Sequence, residues 1–137
     1  MAAPVLVRSG TPEQQKRFLP DIAAGTKVLG FAVTEPGGGS DLTRMKTTAV
    51  RDGDHWVLNG QKTFITNALT ADLFVTIART DAKARGASGF SIFIVEKGAK
   101  GFTTGAKFGK TGWSCADMSE LFFDDFRVPA ANLIGEE

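Results

Sequence analysis

The stretch "FAVTEPGGGSDL", residues 31–42, places an apolar run directly before Glu35, Pro36 and three consecutive glycines. The wider run 28–35 is continuously apolar up to its last two residues, which predicts a strand buried on both faces. Proline and glycine end such a strand, because proline lacks an N–H group and glycine adopts backbone conformations closed to other residues. The stretch therefore predicts a buried strand that ends in an open glycine loop.

The glycine loop has two interpretations. A glycine cluster after a strand commonly forms only a flexible turn, and no GxGxxG pattern leads into a helix here, so a dinucleotide-binding fold is not supported. Alternatively, backbone N–H groups of Gly37, Gly38 and Gly39 converge on an anion, with the Ser40 hydroxyl as a further donor. In that case Asp41 caps or orients the loop, because a carboxylate would repel the anion.

The rest of the chain after residue 28 has the apolar spacing of strands. The pairs Asp52-Gly53 and Asn59-Gly60 predict two hairpins, because such dipeptides between apolar runs favour tight turns. These hairpins would join runs 45–51, 55–58 and 61–66 into a three-stranded meander. Further strands are predicted at 72–80, 89–96, 119–128 and, more weakly, 102–108.

One helix is predicted before the strands. Thr11 is a suitable N-cap, Pro12 fits the first helical position, and Gly25 ends the pattern. Pro20 is a potential break in this helix. The sequence thus predicts a mainly β fold, a small β-barrel or sandwich of about seven strands preceded by a short helix.

Composition excludes several classes of partner and site. The 137 residues carry a net charge of +1, so no strong field attracts nucleic acid or an anionic membrane. Neither a signal peptide nor a membrane-spanning run is recognisable, and a cytoplasmic location is the expectation. A single cysteine, Cys115, and acidic pairs without ligand spacing predict no metal site. The loop with Trp113, Cys115 and Asp117 is interpreted as packed rather than reactive, because no histidine accompanies the cysteine.

Two motifs carry a resemblance to a known family. The stretch 31–42 resembles the signature of the acyl-CoA dehydrogenase family, and "LNGQKTFITNALTADLFVTIART", residues 58–80, resembles its second conserved block. Residues 10–30 are similar to the end of the family's N-terminal helical domain, and residues 111–137 to the close of its middle β domain. The resemblance implies two parts, residues 1–25 from the helical domain and residues 26–137 as the middle β domain of a longer protein.

The resemblance implies that this domain binds FAD along two segments. Backbone and hydroxyl groups of Val33 and Thr34 would meet the pyrimidine edge of the flavin, Thr66 would bond near N5, and Phe64 would lie against the ring. Without the resemblance, Phe64 reads as an inward residue that fills the barrel. Many family members carry tryptophan there, and phenylalanine keeps the stacking surface without the indole N–H. The full set of implied cofactor-binding residues is Phe31, Val33, Thr34, Gly39, Ser40, Phe64, Ile65 and Thr66.

The resemblance also implies a substrate site. Ser40 would reach the cofactor pyrophosphate and the bound acyl-CoA. The loop 82–88, with Lys83, Arg85 and Ser88, falls where related enzymes approach CoA, although a basic loop tip is commonly only a solvated connection. Ser40 and Ser88 are the substrate-binding residues proposed from sequence.

The implied reaction is the dehydrogenation of acyl-CoA thioesters. A carboxylate removes the α-proton while the β-hydrogen passes as hydride to the flavin, giving trans-2-enoyl-CoA. We assign no catalytic residue, because the family's base is a glutamate of a C-terminal helical domain and Glu35 before Pro36 suits a structural role. The 137 residues alone are therefore expected to be inactive.

Partners and alternatives follow from the same resemblance. The whole enzyme would use an acyl-CoA substrate, pass electrons to an electron-transfer flavoprotein, and form a homo-oligomer, either a dimer or a tetramer. Two alternatives stay open at this point. One is a stand-alone β-barrel module that binds a ligand without chemistry, and the other is an acyl-CoA oxidase-type domain with oxygen as the electron acceptor.

Overall fold

A computed structural model describes residues 2–84 and 86–136 as two helices and a β-sheet. The helices are α1 (Ala3–Ser9) and α2 (Pro12–Ala24). The strands are β1 (Leu29–Ala32), β2 (Thr48–Asp52), β3 (His55–Thr66), β4 (Leu73–Arg79), β5 (Phe90–Glu96), β6 (Phe102–Thr104), β7 (Met118–Pro129) and β8 (Leu133–Ile134). Short 3-10 helices span Leu42–Arg44, Gly86–Gly89 and Ala130–Asn132. The predicted mainly β fold with a leading helix is confirmed, while α1 and β8 were not predicted.

The strands form one sheet in the order β6-β7-β3-β2-β4-β5-β8, with β1 beside β4. Neighbours pair antiparallel, except that β1 and the first residue of β2 pair parallel with β4. Within the described residues no pairing joins β6 to β8, so the sheet is open rather than a closed barrel.

One of the two predicted hairpins is confirmed and the other is wrong. Asp52 pairs with His55 across a tight turn, as Asp52-Gly53 predicts. β3, however, runs straight through Asn59-Gly60 and pairs next with β7, so the three-stranded meander is also wrong. Gly60 has a φ of +145° at a register shift in the β3–β7 ladder, and the Asn59 side chain hydrogen-bonds Asp125 on β7. The extra residue at this shift is on β7, where Asp125 has a φ of +48°, so Asn59-Gly60 lies opposite a β-bulge and not in a turn.

β4 divides the core into two halves. Phe74 and Ala78 join the cluster inside the sheet with Trp56 and Phe93, whereas Val75 faces the helices. β4 is therefore buried on both faces. The run 28–35 was predicted to have this character, but β1 is only four residues long and alternates, with Phe31 37% exposed.

α2 begins and ends where its capping residues predict, and it is hydrogen-bonded to the segment that leads into β8. Thr11 and Gln14 make a reciprocal capping box, with N–O distances of 3.0 and 3.2 Å. The Gln14 amide also donates to the carbonyl oxygens of Ala131 and Leu133 at 2.7 Å each. The helix continues through Pro20, because buried Phe18 holds it against the sheet. In the part of the chain that is described, no helix is long and apolar enough to cross a membrane.

Candidate functional site

The two sequence motifs meet where β1 ends. β1 stops at Ala32, and Val33 and Thr34 lead away towards β3. The Thr63 N–H on β3 donates to the Thr34 carbonyl oxygen at 2.8 Å. This bond is possible because the β3–β7 register shifts between Lys62 and Ile65, which inserts one extra residue and frees β3 from its β7 partner there. The end of β1 and the bulge of β3 thus form one continuous surface.

Phe64 is the residue that this bulge turns outward. Its φ is +55°, a left-handed conformation that costs a side-chain-bearing residue about 1–2 kcal/mol. The side chain is 62% exposed, and its ring contacts Phe108 edge-on with centroids 5.6 Å apart. The alternative in which Phe64 fills the interior is therefore wrong. Neighbouring Ile65 is 2% exposed and packs in the core, so only its backbone can reach the surface.

The glycine loop begins with a tight turn. Glu35 and Gly38 exchange two backbone hydrogen bonds of 3.0 and 3.1 Å, with Pro36 and Gly37 at the corner. The Gly38 N–H is therefore already used and cannot join the predicted anion-binding cluster. At Gly39 an added Cβ would lie 3.1 Å from Thr34 Cγ2, so the loop stays close to the end of β1.

Asp41 caps the loop, as expected. Its carboxylate accepts from the Thr43 backbone N–H at 3.1 Å and from the Thr43 hydroxyl at 2.5 Å, at the start of the 3-10 helix Leu42–Arg44. These bonds, the one from the hydroxyl above all, lower the pKa of Asp41 below its usual value. The carboxylate therefore orients the loop through Thr43, which is not one of the glycines predicted to donate to an anion.

Three hydroxyl groups on this surface are available to a ligand. Thr34 is half-buried, and Ser40 and Thr66 are exposed. Among the described residues, none of these three hydroxyls has a hydrogen-bond partner in the protein. Together with the exposed rings of Phe31 and Phe64, they form an apolar surface that carries three hydroxyl groups.

A buried ion pair lies behind this surface. Lys62 Nζ contacts Glu35 Oε1 at 2.8 Å, and the two side chains are 0% and 5% exposed. Burial raises the pKa of Glu35, but hydrogen bonds from Lys62, Thr47 and Lys46 outweigh it and hold that pKa below its usual value. Burial lowers the pKa of Lys62, and the Glu35 carboxylate opposes this shift. The structural role predicted for Glu35 agrees with these contacts.

A second loop lies beside the glycine loop. The 3-10 helices Leu42–Arg44 and Gly86–Gly89 contact each other, and Ser88 lies exposed in the second. Arg79 on β4 donates to the Thr43 carbonyl oxygen at 2.8 Å and stacks on the Phe90 ring. It thus connects the first of these 3-10 helices to the start of β5. Lys83 is exposed, and Arg85 lies outside the described residues. The predicted substrate residues Ser40 and Ser88 therefore stand on adjacent loops.

Comparison with known proteins identifies the family. The family model described as acyl-CoA dehydrogenase, middle domain, matches residues 30–126, which include all but the first residue of β1, the glycine loop and the β3 bulge. The chain belongs to the acyl-CoA dehydrogenase family. It represents the middle domain of those proteins, in agreement with the resemblance of its two motifs.

Individual acyl-CoA dehydrogenases are similar along nearly the whole chain. The mitochondrial long-chain specific acyl-CoA dehydrogenase of Rattus norvegicus is 47% identical over 98% of this chain and 31% of its own length. The short-chain specific enzyme of Clostridium acetobutylicum is 43% identical over 100% of this chain and 36% of its own. An acyl-CoA dehydrogenase structure from Geobacillus kaustophilus matches with 46% identity and a TM-score of 0.95, over 100% and 36% of the two chains. The chain thus spans about a third of the length of these relatives.

Lys62 is the site residue that sequence reasoning missed in this acyl-CoA dehydrogenase domain. Its signal is the period-two alternation of β3, which puts residue 62 on the inward face with Trp56 and Leu58. A lysine on a buried face requires a charged or polar partner. Glu35, the acid in the neighbouring motif, supplies it.

The loop before β7 is only partly as predicted. Asp117 is buried and accepts from the Leu69 N–H at 2.8 Å and the Thr70 hydroxyl at 2.7 Å, which agrees with a packing role. Trp113, in contrast, is 78% exposed with a φ of +57°, so the expectation that it is packed is wrong for this chain. Cys115 is also exposed.

Proposed function

We propose that this chain forms one wall of the FAD and acyl-CoA site of an acyl-CoA dehydrogenase. The observation that carries the proposal is the joining of the two motifs, in which the Thr63–Thr34 bond aligns the end of β1 with the β3 bulge. The bulge exposes Phe64 at the cost of a left-handed backbone. A left-handed backbone raises the free energy of the folded state, and such strained residues are common at ligand-binding sites. The strain at Phe64, together with its exposed ring, therefore supports a ligand-binding surface here.

The surface residues fit a flavin. The isoalloxazine ring is flat and apolar with acceptors along its edge, so exposed rings beside unpartnered hydroxyl donors suit it. We assign Phe31 and Phe64 to the ring face, and Thr34 and Thr66 to the ring edge with the backbone of Val33 and Ile65. Gly39 and Ser40 would lie at the cofactor's pyrophosphate. A similar solved structure, 32% identical with a TM-score of 0.96, is described as an FAD-dependent dehydrogenase.

The bound FAD would supply the hydride acceptor for oxidation of the acyl chain. The residues of this chain then bind and orient, while the proton is removed elsewhere. Glu35 cannot serve as the base, because its carboxylate already accepts from Lys62 Nζ and from two backbone N–H groups. We infer that the base of the whole enzyme lies outside these 137 residues.

Substrate, partners and location are proposals of the same kind. Ser40 and Ser88, on adjacent loops, would contact the acyl-CoA substrate. We propose a homo-oligomer, a dimer or tetramer, and an electron-transfer flavoprotein as acceptor; a structure described as electron transferring flavoprotein of Acidaminococcus fermentans contains a chain 45% identical to this one. The division into residues 1–25 and 26–137 stays a prediction. The cytoplasmic location also stays a prediction, because similar proteins include mitochondrial ones.

Thr66→Val tests the proposal in the full-length protein that carries this chain. The substitution keeps the volume of the side chain and removes its donor, and one lost hydrogen bond to a charged group is worth about 1.5–3 kcal/mol. Flavin reduction by an acyl-CoA should therefore slow about tenfold or more. Thr103→Val is the control, because Thr103 is also exposed but lies on edge strand β6. Reduction by the Thr66 variant within twofold of the parent would refute this role.

A second candidate function keeps the cofactor and changes the electron acceptor. The structure of the prolyl acyl carrier protein oxidase AnaB matches this chain with 38% identity and a TM-score of 0.95. An oxidase of this kind would reoxidise its reduced flavin with oxygen. Stopped-flow reoxidation of the reduced full-length protein by oxygen and by an electron-transfer flavoprotein distinguishes the two, because only a dehydrogenase should prefer the flavoprotein.

A further inference from the structure

The Glu35–Lys62 pair joins the three segments that surround the proposed flavin wall. Lys62 on β3 has an acceptor for each of its three ammonium protons: Val33 O at 3.2 Å, Glu35 Oε1 at 2.8 Å and Met45 Sδ at 3.1 Å. The Glu35 carboxylate accepts in turn from the backbone N–H groups of Lys46 and Thr47 at 2.6 and 3.0 Å. One pair therefore fixes the exit of β1, the segment before β2, and β3 next to its bulge.

A pair in this position is poorly explained by stability alone. Removing two charges from water is costly, and replacing a buried pair by well-packed hydrophobic residues of similar volume often leaves the stability unchanged or raises it. The cluster inside the sheet already contains Trp56, Phe74 and Phe93. What the pair adds is a fixed direction for particular backbone groups.

The pair contacts one of the two carbonyl groups of the proposed wall. Lys62 Nζ donates to Val33 O, while Thr34 O accepts from the backbone N–H of Thr63, the residue after Lys62. With both carbonyl oxygens turned towards the protein, the segment presents donors, including the Thr34 hydroxyl, to whatever lies against it. A flavin's pyrimidine edge consists mainly of acceptors, so a wall of donors is complementary to it.

We propose that Lys62 and Glu35 are positioning residues of the cofactor site, which turn the Val33 carbonyl inward so that residues 33 and 34 offer donors to the flavin. The proposal rests on the FAD-binding function proposed above. It assigns the pair a role in recognition that is separable from its effect on folding.

The test uses the full-length protein with three variants. Lys62→Met leaves the Glu35 carboxylate buried without its ammonium partner and is expected to lower the melting temperature and weaken FAD binding together. The double variant Glu35→Gln/Lys62→Met removes both charges and should recover most of the melting temperature. Arg17→Met is the control, because it breaks the 2.6 Å ion pair between Arg17 on α2 and Glu96 on β5, which lies outside the wall.

Flavin fluorescence and the visible absorption spectrum give the decisive readout. In the double variant we expect the Kd for FAD to rise about tenfold or more, the size of one lost oriented contact, and the flavin absorption maximum to shift from that of the parent. Arg17→Met should leave both unchanged. If the pair only supports the fold, a double variant with a recovered melting temperature should show neither the weaker FAD binding nor the shifted absorption maximum.

A double variant that binds FAD within twofold of the parent, with an unchanged spectrum, would overturn the proposal. A double variant that fails to fold would overturn it as well, because the pair would then be required for the fold itself. A parent protein that does not bind FAD would instead refute the proposed function, so the two failures can be told apart.

Discussion

Replacing Phe64 by glycine and by alanine separates the backbone conformation at this residue from the role of its side chain. Both substitutions remove the same ring, which is 62% exposed and contacts Phe108 at its edge. They differ in backbone preference, because the φ of +55° suits glycine and strains alanine. The difference in the free energy of unfolding between the two variants therefore reports the backbone alone.

The expected difference follows from two opposing terms. The left-handed conformation costs alanine about 1–2 kcal/mol relative to glycine. Glycine loses more conformational freedom on folding, which ordinarily favours alanine in a strand by about 0.5–1 kcal/mol. At residue 64 the first term is larger, so Phe64→Gly should be more stable than Phe64→Ala by about 0.5–1 kcal/mol.

Urea unfolding of both variants measures this difference, with Val50 as the matched control. Val50 is 63% exposed in β2 and has no left-handed backbone, so there the alanine variant should be the more stable one. Opposite signs at residues 50 and 64 are the predicted result. An alanine variant that is the more stable one at both positions would refute the strained bulge, and with it the main argument for a ligand surface.

Two further substitutions test the packing behind the site. Gly60→Ala should lower the free energy of unfolding by about 2 kcal/mol or more, since its Cβ would lie 2.6 Å from Thr47 Oγ1 at a φ of +145°, whereas Gly53→Ala, with nothing within 4 Å, should cost about 1 kcal/mol. Equal losses in urea unfolding would argue against the close contact. For Glu35, hydrogen bonds led by that of Lys62 outweigh burial and lower its pKa, so the stability that its ionised form contributes is present at neutral pH and is lost as the pH falls below about 4.5. The stability difference between the parent and Glu35→Gln should therefore shrink between pH 7 and pH 3, and a constant difference would contradict this.

The sequence predicted elements better than their connections. Local turn chemistry is the same at Asp52-Gly53 and Asn59-Gly60, and nothing nearby in sequence distinguishes them. The distinction comes from Asp125, 66 residues after Asn59, whose hydrogen bonds with the Asn59 side chain hold a bulge in place of a turn. A pairing at that separation is not contained in a local pattern, so the local turn signals predict a hairpin where one long strand forms.

The site was predictable in its motifs and not in its geometry. The residues 31–42 and 58–80 indicated the two segments, and the structure brings them together. The direction of Phe64 was not predictable by alternation, because the extra residue between Lys62 and Ile65 breaks the period of two. Lys62 was overlooked because lysine is rarely buried, and its partner lies 27 residues away.

A crystal structure of the full-length protein with FAD would show whether these residues form the wall of the cofactor site. We expect the flavin ring to lie against the surface formed by Phe31 and Phe64, with the hydroxyls of Thr34 and Thr66 within about 3 Å of polar atoms at its edge. The carbonyl oxygens of Val33 and Thr34 should still be bound to Lys62 and Thr63. FAD bound elsewhere, with this surface covered only by protein or water, would contradict the claim that these residues form the wall of the cofactor site.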